Sequence, residues 1–249
     1  MALTERQKDI LQSLKTYKKL SVKALADELF VSEATIRRDL SEMQTMGLIE
    51  RSHGGAILPE NAEEVSIFLR MERNASEKER VATKAILHIP PFKSVFIDSS
   101  STALALAERI DLSHKTVVTN NLQTAIQLSK KKNVAVNLLG GPLIKENLST
   151  ASSLSSVYFA DNNFELAIIS ASAFTPENGF SCGSQMEADL FRIIRKKAKF
   201  TYMMLDSSKI GKIKPYTFAR AEDINVLITD EAFPAALKES FKAMNIVVL

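Results

Sequence analysis

Two groups of residues in this sequence have the types and spacing to do chemistry. The first is Thr35, Arg37 and Arg38, a short hydroxyl beside two long cations, in a segment where Ile36, Leu40 and Met43 recur at i, i+4 and i+7. On a helix this spacing parts a core stripe from a charged face, and such a face suits a helix whose N-terminal half enters a major groove. An ordinary amphipathic helix with a solvated arginine pair reads the same way, so the neighbours decide. Ser32 is a good N-cap for it, and Glu33 opens its first turn. Downstream, Leu48-Ile49-Glu50-Arg51 is β-like and Ser52-His53-Gly54-Gly55 turns the chain. The reading is a short hairpin, or wing, whose glycines let the backbone approach phosphates beside Arg51 and His53. A glycine turn that simply closes the domain is the alternative. The candidate DNA-contacting residues are Ser21, Ser32, Glu33, Thr35, Arg37, Arg38, Arg51, His53 and Gly54.

The second group lies where short apolar runs end. Asp98, Ser99, Ser100, Ser101 and Thr102 place hydroxyls before a helix N-terminus, where free N–H groups and the helix dipole favour an anion such as phosphate. Thr119, Asn120 and Asn121 end the next run, and Gly140 and Gly141 the one after, without side chains to keep a ligand from the backbone. Asp206-Ser207-Ser208-Lys209 adds a cation and two more hydroxyls. Any one of these clusters could be only a helix cap. Their recurrence at equivalent positions points to one shared effector site, built by Asp98 to Thr102, Thr119 to Asn121, Gly140, Gly141 and Lys209.

These residues need elements to hold them. Thr4-Glu5-Arg6-Gln7 has the form of a capping box and predicts a first helix through Ile10, Leu11 and Leu14 to about Tyr17. Lys18-Lys19-Leu20 is a polar break, after which Ser21 caps a compact second helix through Val22, Leu25, Ala26 and Leu29. Phe30-Val31 leaves only a tight turn before Ser32 starts the third helix, which is helix-turn-helix geometry. That helix ends at Gly47, and residues 1–56 form the expected DNA-binding domain. Residues 57–75, proline-containing and acidic, read as a linker; Val65 to Arg73 could form a short helix with Ile67, Phe68 and Met71 on one side. From residue 76 to 249 apolar runs at Ser94–Asp98, Thr116–Asn120, Val134–Leu139, Leu166–Ser170, Phe200–Leu205, Val226–Thr229 and Ile246–Leu249 alternate with helix-length segments such as 102–110, 122–131, 185–199 and 233–243. This is the pattern of an α/β domain with a mainly parallel sheet covered on both faces, which binds ligands beyond the carboxyl ends of its strands.

Composition narrows the classes. Among 249 residues 45% are apolar and 24% charged, which is ordinary for globular chains, and a net charge of +3 permits nucleic acid without demanding it. Residues 1–53 carry nine Lys/Arg against eight Asp/Glu, so a DNA reading rests on where the cations sit. The one cysteine, Cys182, excludes an internal disulfide framework and reads as a small, partly buried apolar residue. His53, His88 and His114 lack ligand spacing, so neither a metal nor a cofactor is expected. The N-terminal residues lack a signal-peptide core and no apolar run is long enough to cross a bilayer, so a soluble cytoplasmic protein is expected.

The run Val31-Ser32-Glu33-Ala34-Thr35-Ile36-Arg37-Arg38-Asp39-Leu40, followed by Gly47-Leu48-Ile49-Glu50-Arg51 and His53-Gly54-Gly55-Ala56, closely resembles the signature of the DeoR family of bacterial sugar-responsive regulators. The resemblance continues through Asp98 to Thr102, Val118-Thr119-Asn120-Asn121, Gly140-Gly141 and Leu205-Asp206-Ser207-Ser208-Lys209, and so covers nearly the whole chain. It implies a winged helix-turn-helix that binds operator DNA, with Thr35, Arg37 and Arg38 on the recognition helix. It also implies an effector domain similar to ribose-5-phosphate isomerase and CoA-transferase folds that senses a phosphorylated sugar. Asp39 is expected to orient an arginine or to cap, since a carboxylate near phosphates is repelled. Two departures stand out: Ser100 replaces a glycine the family usually has, and a glycine is missing around Ser149-Thr150-Ala151. The expected function is a repressor that binds operator DNA as a dimer or tetramer and is released by a sugar phosphate. An isomerase-like enzyme fused to a DNA-binding module, with Asp98, Glu187 or Asp206 as its base, and a pocketless oligomerisation domain are the alternatives.

Overall fold

The computed structural model describes residues 3–58, 66–145, 147–152 and 155–249. The chain divides into two compact units, Met1–Arg73 and Asn74–Leu249. Residues 59–65 of the expected linker, Pro59 among them, lie outside the described residues.

In the first unit, α1 (Glu5–Tyr17) starts on the capping box read from the sequence: Thr4 accepts the Gln7 N–H at 3.2 Å and the Gln7 side chain accepts the Thr4 N–H at 3.1 Å. Strand β1 (Lys19–Ser21) leads directly into α2 (Val22–Glu28), and α3 (Glu33–Thr45) follows. The hairpin β2 (Glu50–Ser52) and β3 (Gly55–Ile57) comes next, then α4 (Ile67–Glu72). Ile36, Leu40 and Met43 are each fully buried, as their spacing requires, and so are Ile10, Leu14 and Leu25. Two expectations change. The polar break at Lys18–Leu20 contains a strand, because β3 needs a second partner and the sheet order is β1-β3-β2. In α4 the buried residues are Ile67, Phe68 and Leu69, while Met71 is only half-buried; three consecutive buried residues defeat a one-stripe reading.

The second unit begins with α5 (Ala75–His88) and continues β4 (Ser94–Ile97), α6 (Ser101–Arg109), β5 (Thr116–Thr119), α7 (Leu122–Ser129) and β6 (Ala135–Leu138). Two short strands, β7 (Leu143–Ile144) and β8 (Ser149–Thr150), precede α8 (Ser155–Ala160), β9 (Phe164–Ser170), β10 (Ala173–Thr175) and β11 (Gly179–Cys182). Then come α9 (Gln185–Lys197), β12 (Ala198–Met204), β13 (Tyr216–Ala219), β14 (Val226–Ile228), α10 (Ala235–Ala243) and β15 (Val247–Val248). All seven runs singled out in the sequence join one sheet, ordered β15-β14-β12-β9-β4-β5-β6, with every pairing parallel. Side-chain alternation sends Phe96, Val118, Ala167, Ile169, Met203 and Leu227 to one core, and Val95, Ile97, Val117, Leu166, Ile168 and Met204 to the other. The sheet is therefore covered on both faces.

A small antiparallel sheet, β10-β11-β13, was not expected. Its strands are three or four residues long, and β10 and β11 are buried at every position, so they show neither alternation nor length. Among the described residues no helix is long and apolar enough to cross a membrane.

Leu40 sits without exposure on the inner stripe of α3 while Arg37 is exposed on the same helix. Leu40→Ala is expected to destabilise the N-terminal unit by about 2–5 kcal/mol, and Arg37→Ala to leave its unfolding transition in place. Urea unfolding of the two variants checks the assignment of the faces.

Candidate functional site

In the N-terminal unit, α3 carries Glu33, Thr35, Arg37 and Arg38. Ser32 caps α3, its Oγ accepting the Thr35 N–H at 3.2 Å and lying 2.9 Å from Thr35 Oγ1. Arg37 and Arg38 are exposed and rest against acids one turn away, Arg37 on Glu33 at 2.7 Å and Arg38 on Glu42 at 3.4 Å. Such exposed pairs contribute little, about 0.3–0.5 kcal/mol, so phosphates can displace them. Asp39 points the other way. It is buried, and it receives Arg6 of α1 in a two-pronged contact, Nε at 2.5 Å and the terminal nitrogen at 3.2 Å. The carboxylate therefore does orient an arginine, but one on α1, and it fastens α3 to the rest of the unit.

The wing is fixed to the second helix. Gly54, at φ +74°, gives its carbonyl to the Val22 N–H at 2.7 Å, next to Ser21, which caps α2 by accepting the Ala24 N–H at 3.0 Å. A Cβ on Gly55 would collide with the Leu20 carbonyl, so only glycine fits beneath β1. His53 and Gly54 are exposed at the tip and Arg51 is half-buried.

In the second unit parallel pairing brings every strand's carboxyl end to one edge. Asp98, just past β4, is buried; its Oδ2 accepts the Ser170 N–H at 2.7 Å, and its Oδ1 accepts the Ser100 N–H at 3.0 Å and the Ser100 hydroxyl at 2.6 Å. Ser100, standing where a family glycine was expected, also caps α6 by accepting the Ala103 N–H at 3.0 Å. Ser99 bridges two elements, donating to Glu187 Oε1 at 3.4 Å and accepting from Asn120 Nδ2 at 3.5 Å. Asn120 is fully buried and also donates to the Thr150 carbonyl at 3.2 Å, leaving its Oδ1 without a partner. Asn121 caps α7 through the Thr124 N–H at 2.7 Å and holds the Asn147 carbonyl at 3.0 Å and that of Leu148 at 3.3 Å. Ser101, Thr102 and Thr119 are buried beside them.

Sequence reasoning missed half of what completes this cluster. Glu187, considered only as an enzymatic base, is buried on the first turn of α9, and Oε1 accepts Asn147 Nδ2 at 3.1 Å and Ser149 Oγ at 3.3 Å as well as Ser99. Thr150 donates to the Leu139 carbonyl at 2.5 Å and lies 3.3 Å from that of Asn120. Asn147, Ser149, Thr150 and Ser170 gave no periodic signal. Gly141, at φ +144°, lies where a Cβ would come within 2.8 Å of Ser152 Cβ; Gly140 faces open space. Lys209 closes a short turn, Ser207–Lys209, beyond β12, two strands from β4 in sheet order. That turn is held by Asp206, which accepts the Ser208 N–H at 3.2 Å, and by Asp230, which accepts that of Ser207 at 2.7 Å.

Burial pushes the Asp98 carboxyl up to about 6 against the opposing pull of its Ser100 and Ser170 bonds, and Glu187 adds to the rise. Burial also drives the Cys182 thiol up to about 12, which disfavours its thiolate form.

Residues 6–62 match the DeoR-like helix-turn-helix domain, and residues 73–231 match the DeoR C terminal sensor domain. The chain is 35% identical over 240 residues to the HTH-type transcriptional regulator GolR of Listeria innocua, spanning 96% of this chain and 94% of that one. It is 28% identical over 246 residues to the glycerol-3-phosphate regulon repressor of Escherichia coli, spanning 96% and 95%. Among solved structures, ribose 5-phosphate isomerase A of Methanocaldococcus jannaschii aligns over 55% of each chain, with 12% identity and a TM-score of 0.40.

Because the Asp98 carboxyl titrates higher when folded than the ordinary 3.8, it stabilises the fold in its protonated form, and that stabilisation is lost as pH rises through about 6. Between pH 4 and 7.5 the stability of the wild type relative to Asp98→Asn is expected to fall by about 2 kcal/mol. Urea unfolding of both proteins across that range measures it.

Proposed function

The chain belongs to the DeoR family of DNA-binding transcriptional regulators, and from that premise we propose that it is a repressor of sugar-metabolism genes, released from its operator by a phosphorylated sugar. The observation that carries this reading is the joining of Ser99, Asn120, Asn147, Ser149 and Glu187 into one buried polar cluster at the carboxyl edge of the parallel sheet. Glu187 and the Asn120 Oδ1 are acceptors suited to sugar hydroxyls. The carboxylates repel a phosphate, which is left to the N-terminal turn of α6 at Ser101 and Thr102 and to the Lys209 side. The glycerol-3-phosphate relative's name points to the same class of signal.

On the DNA side, α3 enters the major groove with Thr35, Arg37 and Arg38, and Ser21, Ser32, Arg51, His53 and Gly54 contact the backbone around it. Glu33 holds Arg37 until DNA takes it. The active species is a dimer or tetramer on repeated half-sites. Release requires the sugar phosphate to bind the DNA-incompetent arrangement more tightly than the competent one.

One observation favours a second, enzymatic reading: Asp98 and Glu187 are close enough to influence each other, as an isomerase's acid and base would be. Both Asp98 oxygens, however, are already accepting protons from Ser100 and Ser170, which suits a structural carboxylate better than a base. Turnover of a sugar phosphate by the purified protein would promote that reading.

A thermal-shift screen against sugar phosphates is expected to find a stabilising ligand, worth about 2.7 kcal/mol at a hundredfold excess over its Kd. Lys209→Ala is expected to abolish that shift and leave DNA binding intact; a flat screen with the wild type would sink the sensing proposal. Replacing Arg37 by Ala is expected to weaken operator binding by about 1–3 kcal/mol and to relax specificity at one base pair, as read from titrations on a panel of single-substituted duplexes.

A further inference from the structure

One residue of the helix-turn-helix is unfavourable in two independent ways. Phe30 is 93% exposed, the most exposed of the large apolar side chains among the described residues. It also sits at φ +54°, in the left-handed region. The geometry is that of a Schellman stop on α2: Leu29 is the C-cap, Phe30 follows it, and the Val31 N–H closes back on the Ala26 carbonyl at 3.1 Å. Glycine or asparagine is the residue that position favours, since a side chain with a Cβ is strained there. Phenylalanine therefore strains the turn and exposes a ring to water, and the isolated fold gains nothing in return.

The position says where a return could come from. Phe30 lies two residues before Ser32, the cap of α3, and so at the end of that helix that leads into the major groove. A phenyl ring has no donor or acceptor, which rules out phosphates and hydrogen-bonding base edges. The apolar feature of the major groove is the 5-methyl group of thymine. We propose that Phe30 is a specificity-determining residue that packs on a thymine methyl at the margin of the operator half-site.

The proposal rests on DNA binding alone and is independent of the effector reading. In vitro selection from a random duplex library with the full-length protein supplies the probe. Phe30→Gly and Phe30→Asn keep the turn, so both are expected to melt no lower than the wild type. Both are expected to bind the selected duplex at least tenfold more weakly. Replacing thymines one at a time by deoxyuridine, which removes only the methyl, is expected to weaken wild-type binding about fourfold at one position, the worth of one buried methyl group. At that position the variants lose nothing. Variants that bind as tightly as the wild type would overturn the proposal. So would variants that keep the wild-type sensitivity to every deoxyuridine, or whose loss of binding accompanies a changed oligomeric state in sedimentation, which would place Phe30 against a second copy of the chain.

Discussion

Parallel pairing is the constraint from which the effector unit follows. Seven strands running the same way put every carboxyl end on one edge, and each must hand the chain to a segment that carries it back. A helix that starts there has N–H groups without partners and needs an acceptor beside them. Hydroxyls and amides at that edge are thus demanded by the fold before any ligand is considered. Ser100 and Asn121 meet this demand for α6 and α7, and Asp206 does so for the turn at Lys209. Asn121 uses both ends of its amide in protein bonds, so it shapes the loop at 147–148 and has little left for a ligand. Ser99, Asn120 and Glu187 cap nothing. Their polarity is surplus to the architecture, and surplus buried polarity is what a binding site adds to a scaffold.

Two buried carboxylates set the electrostatics of that surplus. Asp98 ties β4 to β9 through the Ser170 N–H, and its burial costs enough to lift its titration to about 6. Ser100 shows how the chain compensates. A glycine there would leave Oδ1 a backbone N–H alone, whereas serine adds a hydroxyl at 2.6 Å and caps α6 with the same atom. The departure from the family pattern thus gives the Asp98 anchor one more hydrogen bond, beside the proposed effector site. Glu187 gathers three donors, one from the segment after β4 and two from the β7–β8 hairpin, onto one oxygen, so a change in either segment is felt by the other.

What could be read from the sequence follows from this. The central strands, buried on both faces, are continuous apolar runs, and all seven strands declared themselves although the edge strand β6 is largely exposed. The helix-turn-helix was readable because its caps are single residues at fixed offsets: Thr4, Ser21 and Ser32 all cap where they were expected to. The strand ends Asp98 to Thr102 and Thr119 to Asn121 were readable because strand ends locate them. Asn147, Ser149 and Thr150 were not, since they sit in and beside a two-residue strand, β8, whose place depends on Asn121, Glu187 and the Leu139 carbonyl, all outside that segment. Glu187 was visible as an acid at a helix start, but its role depends on three partners that local pattern cannot supply. The strand β1 was hidden for a similar reason: Lys19 to Ser21 pairs with residues 55–57, and only the glycine that lets the chains approach marks the place.

The N-terminal unit solves a different electrostatic problem. With nine cations and eight anions in residues 1–53 it has little bulk attraction for DNA, so its charges must be sorted by position. On the proposed DNA-contacting helix the acids are either turned inward or paired. Asp39 is turned inward onto Arg6, where it holds α1 against α3 and is shielded from phosphates. Glu33 and Glu42 stay outside, but each is bound to an arginine by a weak, solvent-screened contact. A phosphate competes for those arginines at small cost, while the inward pair is too well held to exchange. The same helix therefore carries one ion pair that keeps the fold and two that can give way, and burial alone sorts them.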